Sequence, residues 1–577
     1  MNTISSNTRA AVGLAAAALL LSSNPSLHGA SYTWKGSSGD WQTASNWEPS
    51  GVPGPADTAI ISGGAVTVSD QVTVAVVELK AGALGGAGTL TIKSELLWSG
   101  ASTLGSGGTT VIAPGAVATL SGAGNRDLNG QSLVNQGTLV HTGTSVLRFA
   151  GGARLENQAG GVVDLQADVN WTHPNPATFI NTGTFRKSGA TGASDLGGLT
   201  PANSGRFEVL AGTLVFSGGV TGTGTFHAAA EAQARYQGTV TLADAVFSGP
   251  GTQRLENGGQ FTGTQRSENL EWTAGALSGT STWEGLLLWS GGSVDGPGTL
   301  TVGTAGTLRL IGERARDLNS ATLVNRGVVV HTGSSLLRLT GGSRVENEVG
   351  GLIDLQGDGS WTAPNPATLL NRGTFRKSGG TGTSSVQLQT FTNEGEIAAL
   401  TGALYFETDL RLGSSTTLRF GLSGTGIPPQ HGRLSYSRPM VLTGSLAVVF
   451  LEGFVPSAGQ QFDVITTSCT GIFQGYMAPL ISPTVFINPV YRADGVSLVT
   501  TDPTPTISGP RRLASERQFH LKIQGIANLS YVVQGSTDFA DWTPLATNAV
   551  PASTVWEFID VESAALPWRF YRVHYAP

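Results

Sequence analysis

Cysteine occurs once in the 577 residues, at Cys469. A disulfide scaffold and a cysteine-based zinc site are thereby excluded. Charge is scarce too. Only 12% of residues are Asp, Glu, Lys or Arg, and 33 basic against 39 acidic side chains leave a formal net charge of −6. Nucleic-acid binding draws its affinity from clustered Lys and Arg on phosphate, so the missing basic excess argues against that class. After the first thirty residues no uninterrupted apolar run reaches the ~18 residues a membrane helix needs. What the chain has in abundance is glycine, at 81 positions. With 39% hydrophobic residues and so little charge, wholesale disorder is excluded as well.

Residues 1–30 read as a secretory signal peptide. Arg9 supplies a positive n-region, Ala10 to Leu21 an apolar stretch, and Gly29 with Ala30 the small residues of a cleavage point. The stretch is too short to span a bilayer as a mature helix. The expected location is secreted or at the cell surface, with no transmembrane segment in the mature chain. Cys469 is then a lone thiol, expected to be buried rather than reactive.

Internal repetition dominates the rest of the chain. Arg126-Asp127-Leu128-Asn129 returns as Arg316-Asp317-Leu318-Asn319, and His141-Thr142-Gly143 as His331-Thr332-Gly333. Pro174-Asn175-Pro176-Ala177-Thr178 returns as Pro364-Asn365-Pro366-Ala367-Thr368, and Phe185-Arg186-Lys187-Ser188-Gly189 as Phe375-Arg376-Lys377-Ser378-Gly379. The offset is 190 residues each time (316 − 126, 331 − 141, 364 − 174, 375 − 185). Aligning 125–190 with 315–380 gives roughly 40 identities in 66 positions, which marks a duplication.

A shorter period lies inside the long one. Asn135, Asn157, Asn181 and Asn203 are spaced 22, 24 and 22 residues apart, and Asn325, Asn347, Asn371 and Asn393 repeat that spacing. Most are followed two positions on by glycine, as in Gly137, Gly183, Gly205, Gly327, Gly373 and Gly395; after Asn157 and Asn347 an extra residue precedes Gly160 and Gly350. Asn and Gly both tolerate left-handed backbone, so the Asn-x-Gly unit marks a turn. The alternating stretch after it, such as Thr138-Leu139-Val140-His141, reads as a strand. No 3.6-residue helical period appears after the signal peptide. Turns and strands repeating every ~22 residues without helices fit the coils of a β-solenoid. One coil cannot bury its own apolar face, whereas stacked coils can. Identical turn asparagines would then stack about 4.8 Å apart. The expected fold is all-β: a right-handed parallel β-helix followed by a small C-terminal β-sandwich-like domain. A sandwich or a propeller is the rival, but propeller blades repeat nearer ~40–50 residues.

Four regions and a linker follow the signal. Residues 31–90 contain Trp34-Lys35-Gly36, Gly39-Asp40-Trp41, Asn46-Trp47 and Val52-Pro53-Gly54-Pro55-Ala56-Asp57. This string resembles the opening motif of secreted β-helix repeat proteins of Planctomycetes and Verrucomicrobia type and of some autotransporter passengers. The resemblance implies an N-terminal cap for the solenoid. Residues 91–420 carry the β-helix with its duplicated segment, and 421–500 resemble the segment that closes such solenoids. Residues 501–510, TDPTPTISGP, read as a linker. Residues 511–577 contain Ser536-Thr537-Asp538-Phe539, Asp541-Trp542-Thr543 and Arg569-Phe570-Tyr571-Arg572-Val573, which resemble a C-terminal β module of secreted verrucomicrobial proteins. No transmembrane barrel is expected after the solenoid, so self-translocation is not expected either.

Several parallel β-helices degrade polysaccharides, so acids and bases need testing. Asp164 and Asp168, with copies Asp354 and Asp358, are the best carboxylates. Glycosidases need two carboxyls about 5–9.5 Å apart, and four residues of extended strand span ~13 Å. These acids are therefore expected to decorate solvated turns. Arg186-Lys187 and Arg376-Lys377 are the nearest basic pairs. Neighbours on a strand point to opposite faces, so only one of each pair can enter a common groove, and the pairs are expected to form a charged strand edge. His141 and His331 have no acid at ligand spacing and are expected to be packed or solvated. As binding residues the sequence offers only Trp171 and Trp361, whose rings would stack on sugars; anchoring the adjacent Pro-Asn-Pro loops is the competing and preferred role. No catalytic residue, metal ligand or cofactor is assigned. The reading is an exported, non-catalytic surface, adhesive or matrix-type β-solenoid whose expected partners are extracellular polysaccharide or a cell surface. The alternatives are a polysaccharide lyase or hydrolase on a β-helix scaffold, and a carbohydrate-binding protein without turnover.

Overall fold

The computed structural model describes residues 29–105, 107–426, 429–482, 485–512 and 518–576. The expected signal peptide, apart from Gly29 and Ala30, lies outside the described residues. Among the described residues strand dominates, at 57%, and the strands make up about 17 turns of parallel β-solenoid. Helix among the described residues is confined to two short 3-10 turns, Ala44–Asn46 and Val561–Ala565. No helix among the described residues is long and apolar enough to cross a membrane. The chain divides into two compact units, Met1–Arg154 and Leu155–Pro577.

The first unit opens with tryptophans rather than with a coil. Trp34, Trp41 and Trp47 are buried, and Trp47 meets each of the other two edge-on with ring centroids 4.9 Å apart. The strand Ser31–Trp34 pairs antiparallel with Trp47–Glu48 and parallel with Thr58–Thr67. The first long parallel strand is thus covered by chain instead of presenting a bare row of N–H and C=O groups. From there Thr58–Thr67, Gln71–Gly85 and Thr89–Trp98 stack in parallel, and strands of four residues follow from Ser102 onward.

In the second unit the coil is explicit. Thr178–Asn181, Thr184–Lys187 and Ala193–Asp195 make the strands of one coil. Their partners one coil on place Asn203 on Asn181, Phe207 on Phe185 and Thr213 on Ala193. Side chains alternate in and out, so Phe185 and Lys187 point inward while Thr184 and Arg186 point outward. The inward aromatics form a column: Phe185, Phe207 and Phe226 follow one another with centroids 5.1 and 6.0 Å apart, and Phe247 lies 5.3 Å beyond.

The asparagine corners stack as the spacing predicts. Asn157 Nδ2 donates to Asn181 Oδ1 at 2.7 Å, and Asn181 Nδ2 to Asn203 Oδ1 at 2.7 Å. In the duplicated copy the chain runs Asn325 to Asn347 to Asn371 to Asn393, at 2.7, 2.6 and 2.5 Å. Each of these amides is buried. Most also donate to a main-chain carbonyl of that same next coil, as Asn371 does to Glu396 at 2.9 Å.

The glycines of the Asn-x-Gly units have a different role from the one their type suggests. Left-handed backbone occurs at Gly160 and Gly350, φ +84° and +83°, where the extra residue is inserted. Gly183, Gly205, Gly373 and Gly395 are not left-handed. A Cβ on any of them would lie 2.1–2.3 Å from the carbonyl oxygen of a glycine one coil earlier. Close approach between coils, not turn conformation, demands glycine there.

Near the end of the coils the pairing reverses. Gly495–Thr501 runs antiparallel to both Gln461–Ile465 and Phe486–Arg492. The strand Thr506–Arg512 begins inside the stretch read as a linker. Two three-stranded antiparallel sheets then share a core in which Leu521 and Ile523 of one meet Val533 of the other, flanked by Trp556, Phe558, Tyr571 and Val573.

Candidate functional site

The acids and bases picked out in the sequence are brought together, but by one another. Parallel register sets Asp164 beside Arg186 on the next coil, and Asp354 beside Arg376. Asp164 is buried and accepts hydrogen bonds from Arg186 (2.8 Å), Ser188 (2.6 Å) and Gln166 (3.1 Å). Asp354 repeats this set with Arg376, Ser378 and Gln356 at 2.8, 2.6 and 3.0 Å. Burial alone would push the Asp354 carboxyl up, but the hydrogen bonds from Arg376, Ser378 and Gln356 hold it below the usual carboxylate range. The Arg376 guanidinium is raised in turn, chiefly by its bond to Asp354. Neither acid decorates a solvated turn, which corrects that expectation: the strand alternation that aims Arg186 outward sets Asp164 against it across the coil step.

Lys187 and Lys377 correct a second expectation. They are not part of an exposed charged edge; both are fully buried. The Lys187 ammonium donates to Asp168 at 2.7 Å and to the Gly189 carbonyl at 2.9 Å. Lys377 donates to Asp358 (2.8 Å), to the Gly357 and Gly379 carbonyls (2.8 and 3.0 Å) and to Ser384 (3.2 Å). An inward lysine is tolerated because carbonyls and a carboxylate take up its donors. Asp168 and Asp358 keep about two-fifths of their side chains open to water, so the pair spans the boundary between interior and solvent. Asp168 is further bound by the Gly192 amide. Some carboxylates elsewhere likewise pair to an arginine a coil away, as Glu256 does with Arg235 and Glu396 with Arg419.

His227 Nδ1 lies 3.2 Å from Ser248 Oγ, and a closer, buried arrangement looks like nucleophile and base. His331 Nε2 lies 3.0 Å from Ser335 Oγ. Its other nitrogen, Nδ1, accepts from the Trp361 indole at 3.1 Å. An indole N–H only donates, so Nδ1 is the acceptor and the proton of the neutral ring sits on Nε2. Nε2 therefore donates to Ser335 and cannot take its proton. Ser335 Oγ also accepts from Arg316 at 2.7 Å. Burial and the Arg316 charge push His331 down to about 4, so the ring is neutral at ordinary pH. The geometry is the inverse of an activated serine, whose imidazole must accept. Arg316 itself is fully buried without a carboxylate. Its donors reach the carbonyls of Trp289 (2.6 Å) and Arg314 (3.0 Å), and burial pushes it down to about 10. In the first unit Arg126 bonds the Trp98 carbonyl (2.8 Å) and Ser145, and His141 is likewise pushed down to about 4.

Trp171 and Trp361 are fully buried, as are Trp98 and Trp289. Trp171 packs edge-on to Phe185 at 5.4 Å and Trp361 to Phe375 at 5.8 Å. No face of either ring is open to a sugar, so stacking on a ligand is corrected to core packing. The apolar indole fills the coil interior, and in Trp361 the N–H is used to orient His331. The Pro364-Asn365-Pro366 loop beside Trp361 borders an open depression of about 460 Å³ with Gln387, Gln389 and Glu407. It contributes one carboxylate, already accepting from Gln387 at 2.9 Å, where glycoside hydrolysis uses two. Among the described residues no three His, Cys, Asp or Glu side chains gather as a metal site.

Cys469 is half-buried rather than buried. Its thiol donates to the Thr467 carbonyl at 3.1 Å, and loss of solvation pushes it up to about 11. No family model matches this chain, and no curated protein matches it.

Proposed function

We propose that the chain is an exported, non-catalytic β-solenoid that serves as a surface, adhesive or matrix-type scaffold. The observation that carries the reading is the consumption of its chemistry by its architecture. Each acid and base put forward by the sequence is tied to a partner within its own coil stack. The serine beside the buried His331 imidazole faces a nitrogen that bears the proton. What remains is a stack of coils that grows by about 4.8 Å per turn, and duplicating such a stack adds height without adding a reaction. The N-terminal apolar stretch with its small-residue cleavage point supports export.

The test uses the purified chain against a panel of neutral and acidic polysaccharides. Ultraviolet absorbance reads unsaturated lyase products and a reducing-end assay reads hydrolysis. The expected result is no product above the buffer control, and turnover of any polymer overturns the proposal. Fractionating the producing cells, with N-terminal sequencing of the recovered chain, checks export; a cytoplasmic chain that still begins at Met1 refutes that part.

A further inference from the structure

The tryptophans of the coils are buried, but the C-terminal sheets carry large aromatic rings left open to water. Phe539 and Trp568 are each 62% exposed. They are held by one turn. Ser536 Oγ accepts from the amides of Asp538 (3.2 Å) and Phe539 (2.9 Å). Asp538 Oδ1 accepts from the Ser536 hydroxyl and from the amides of Ala540 and Asp541, all at 2.9 Å. The outcome is a phenylalanine at φ +62°, a conformation that a bulky side chain rarely adopts. Its ring lies on Phe570, with centroids 3.6 Å apart, and 6.3 Å from Trp542. Trp568 Nε1 donates to the Thr537 carbonyl (3.0 Å) and Trp542 Nε1 to the Phe539 carbonyl (3.1 Å), so both indoles are fastened to the same turn.

With the indole N–H groups spent, the chemistry this surface offers is that of ring faces. Large aromatics present ~150–250 Å² each, so the two exposed rings offer about 200–300 Å². A stable protein partner covers ~800 Å² per side, which makes this surface too small for protein docking. It suits the apolar C–H face of one or two pyranose rings. Charge narrows the choice. Arg572 lies over Trp542 at 4.4 Å and donates to Gln534, while Arg569 is taken by Asp560 (2.8 Å) and Glu562 (3.7 Å). Both arginines are thus engaged, and the exposed Asp541 repels an anionic polymer. We propose that Phe539 and Trp568 form a carbohydrate-binding platform that takes the sugar rings of a neutral polysaccharide. The proposal stands apart from the scaffold reading, since it is decided by binding and that reading by turnover.

The test is depletion of the full chain from solution by microcrystalline cellulose, chitin and starch granules, with alginate as the acidic comparison, in 0.5 M NaCl. Retention is expected on at least one neutral polymer. Trp568→Ala and Phe539→Gly should each raise the half-saturating concentration tenfold or more. Phe539→Gly removes the ring together with its left-handed strain, so its melting temperature should stay close to that of the parent chain, which separates lost binding from lost folding. Three results would overturn the proposal: no retention on any neutral polymer, retention undiminished in both variants, or retention on alginate alone that salt abolishes.

Discussion

Replacing a single amide in the asparagine column should cost very different amounts at a middle rung and at an end rung. Asn371 is a middle rung. Its Nδ2 serves Asn393 Oδ1 (2.5 Å) and the Glu396 carbonyl (2.9 Å), and its Oδ1 accepts from Asn347 (2.6 Å). Asn371→Ala removes all three bonds in a fully buried site. Asn347 keeps the Gly351 and Thr374 carbonyls, whereas Asn393 Oδ1 is stranded. A stranded buried acceptor costs ~1–3 kcal/mol and each lost bond ~1 kcal/mol, so a total of about 3–4 kcal/mol follows. Asn203 is an end rung. Its Oδ1 accepts from Asn181, but its own Nδ2 is buried with no partner. Asn203→Ala strands nothing, because Asn181 keeps the Arg206 carbonyl at 3.2 Å, and it removes an orphan donor. The expected cost is below ~1 kcal/mol. Urea unfolding followed by far-ultraviolet circular dichroism reads the global effect. Amide hydrogen exchange in Thr374–Lys377 reads it locally, which guards against loss of two-state behaviour in a repeat stack. Equal destabilisation by the two variants, or a cost below ~1 kcal/mol for Asn371→Ala, would refute the reasoning.

Three further predictions rest on other contacts. His331 is depressed from its ordinary 6.5 to about 4. The stability this contributes is therefore complete above pH 6.5 and is lost as pH falls toward 4, by up to ~3 kcal/mol at 1.36 kcal/mol per pKa unit. Melting temperature against pH should fall more steeply between 6.5 and 4 for the parent than for His331→Gln; parallel slopes would exclude the role. Gly373→Ala sets a Cβ 2.1 Å from the Gly351 carbonyl oxygen and should unfold the surrounding coils. Gly342→Ala, with open space at φ +80°, should cost only the ~1–2 kcal/mol of left-handed backbone; thermal melts that rank the two the other way would contradict the close-approach account. Cys469, raised to about 11, should react with a disulfide reagent at pH 8 roughly 100-fold more slowly than an unperturbed thiol. Rapid labelling of the native chain would show that the thiol is not held as described.

How far the sequence reached depended on whether a residue's role was set by repetition or by a single contact. Asn157, Asn181 and Asn203 recur at one coil length, and identical residues in parallel register have to stack, so their ladder was readable in advance. Strand alternation required Arg186 and Lys187 to face opposite ways, but it did not say which faced inward. The acceptors that make an internal ammonium tolerable, Asp168 and the Gly189 carbonyl for Lys187 and Asp358 with the Gly357 and Gly379 carbonyls for Lys377, lie in the folded loops and not in the strand pattern. Gly183 was assigned a turn because its type permits left-handed backbone, whereas the carbonyl oxygen of Gly161 is the actual constraint. For Trp171 and Trp361 the sequence preferred anchoring of the Pro-Asn-Pro loops to stacking on sugars, and only the fold shows both rings buried in the coil interior. The aromatic platform went unread because Phe539 and Trp568 lie 29 positions apart in separate connections between strands. The nearest signal was the Ser536-Thr537-Asp538 turn chemistry just ahead of Phe539.

The amide column has a sense of direction. Every rung from Asn325 to Asn393 donates toward the later coil, so the amide dipoles line up head to tail instead of cancelling. The leading oxygen, on Asn325, has no donor, while the trailing amide of Asn393 ends on Thr416 Oγ1. Loose ends therefore belong to the termini of such a column and not to its length. A tandem copy spliced in at whole-coil intervals gains a bond per added rung without creating new orphans. Splicing at any other interval breaks the sequence of dipoles and leaves two. The wiring thus filters gene duplications by phase, favouring those that preserve polarity.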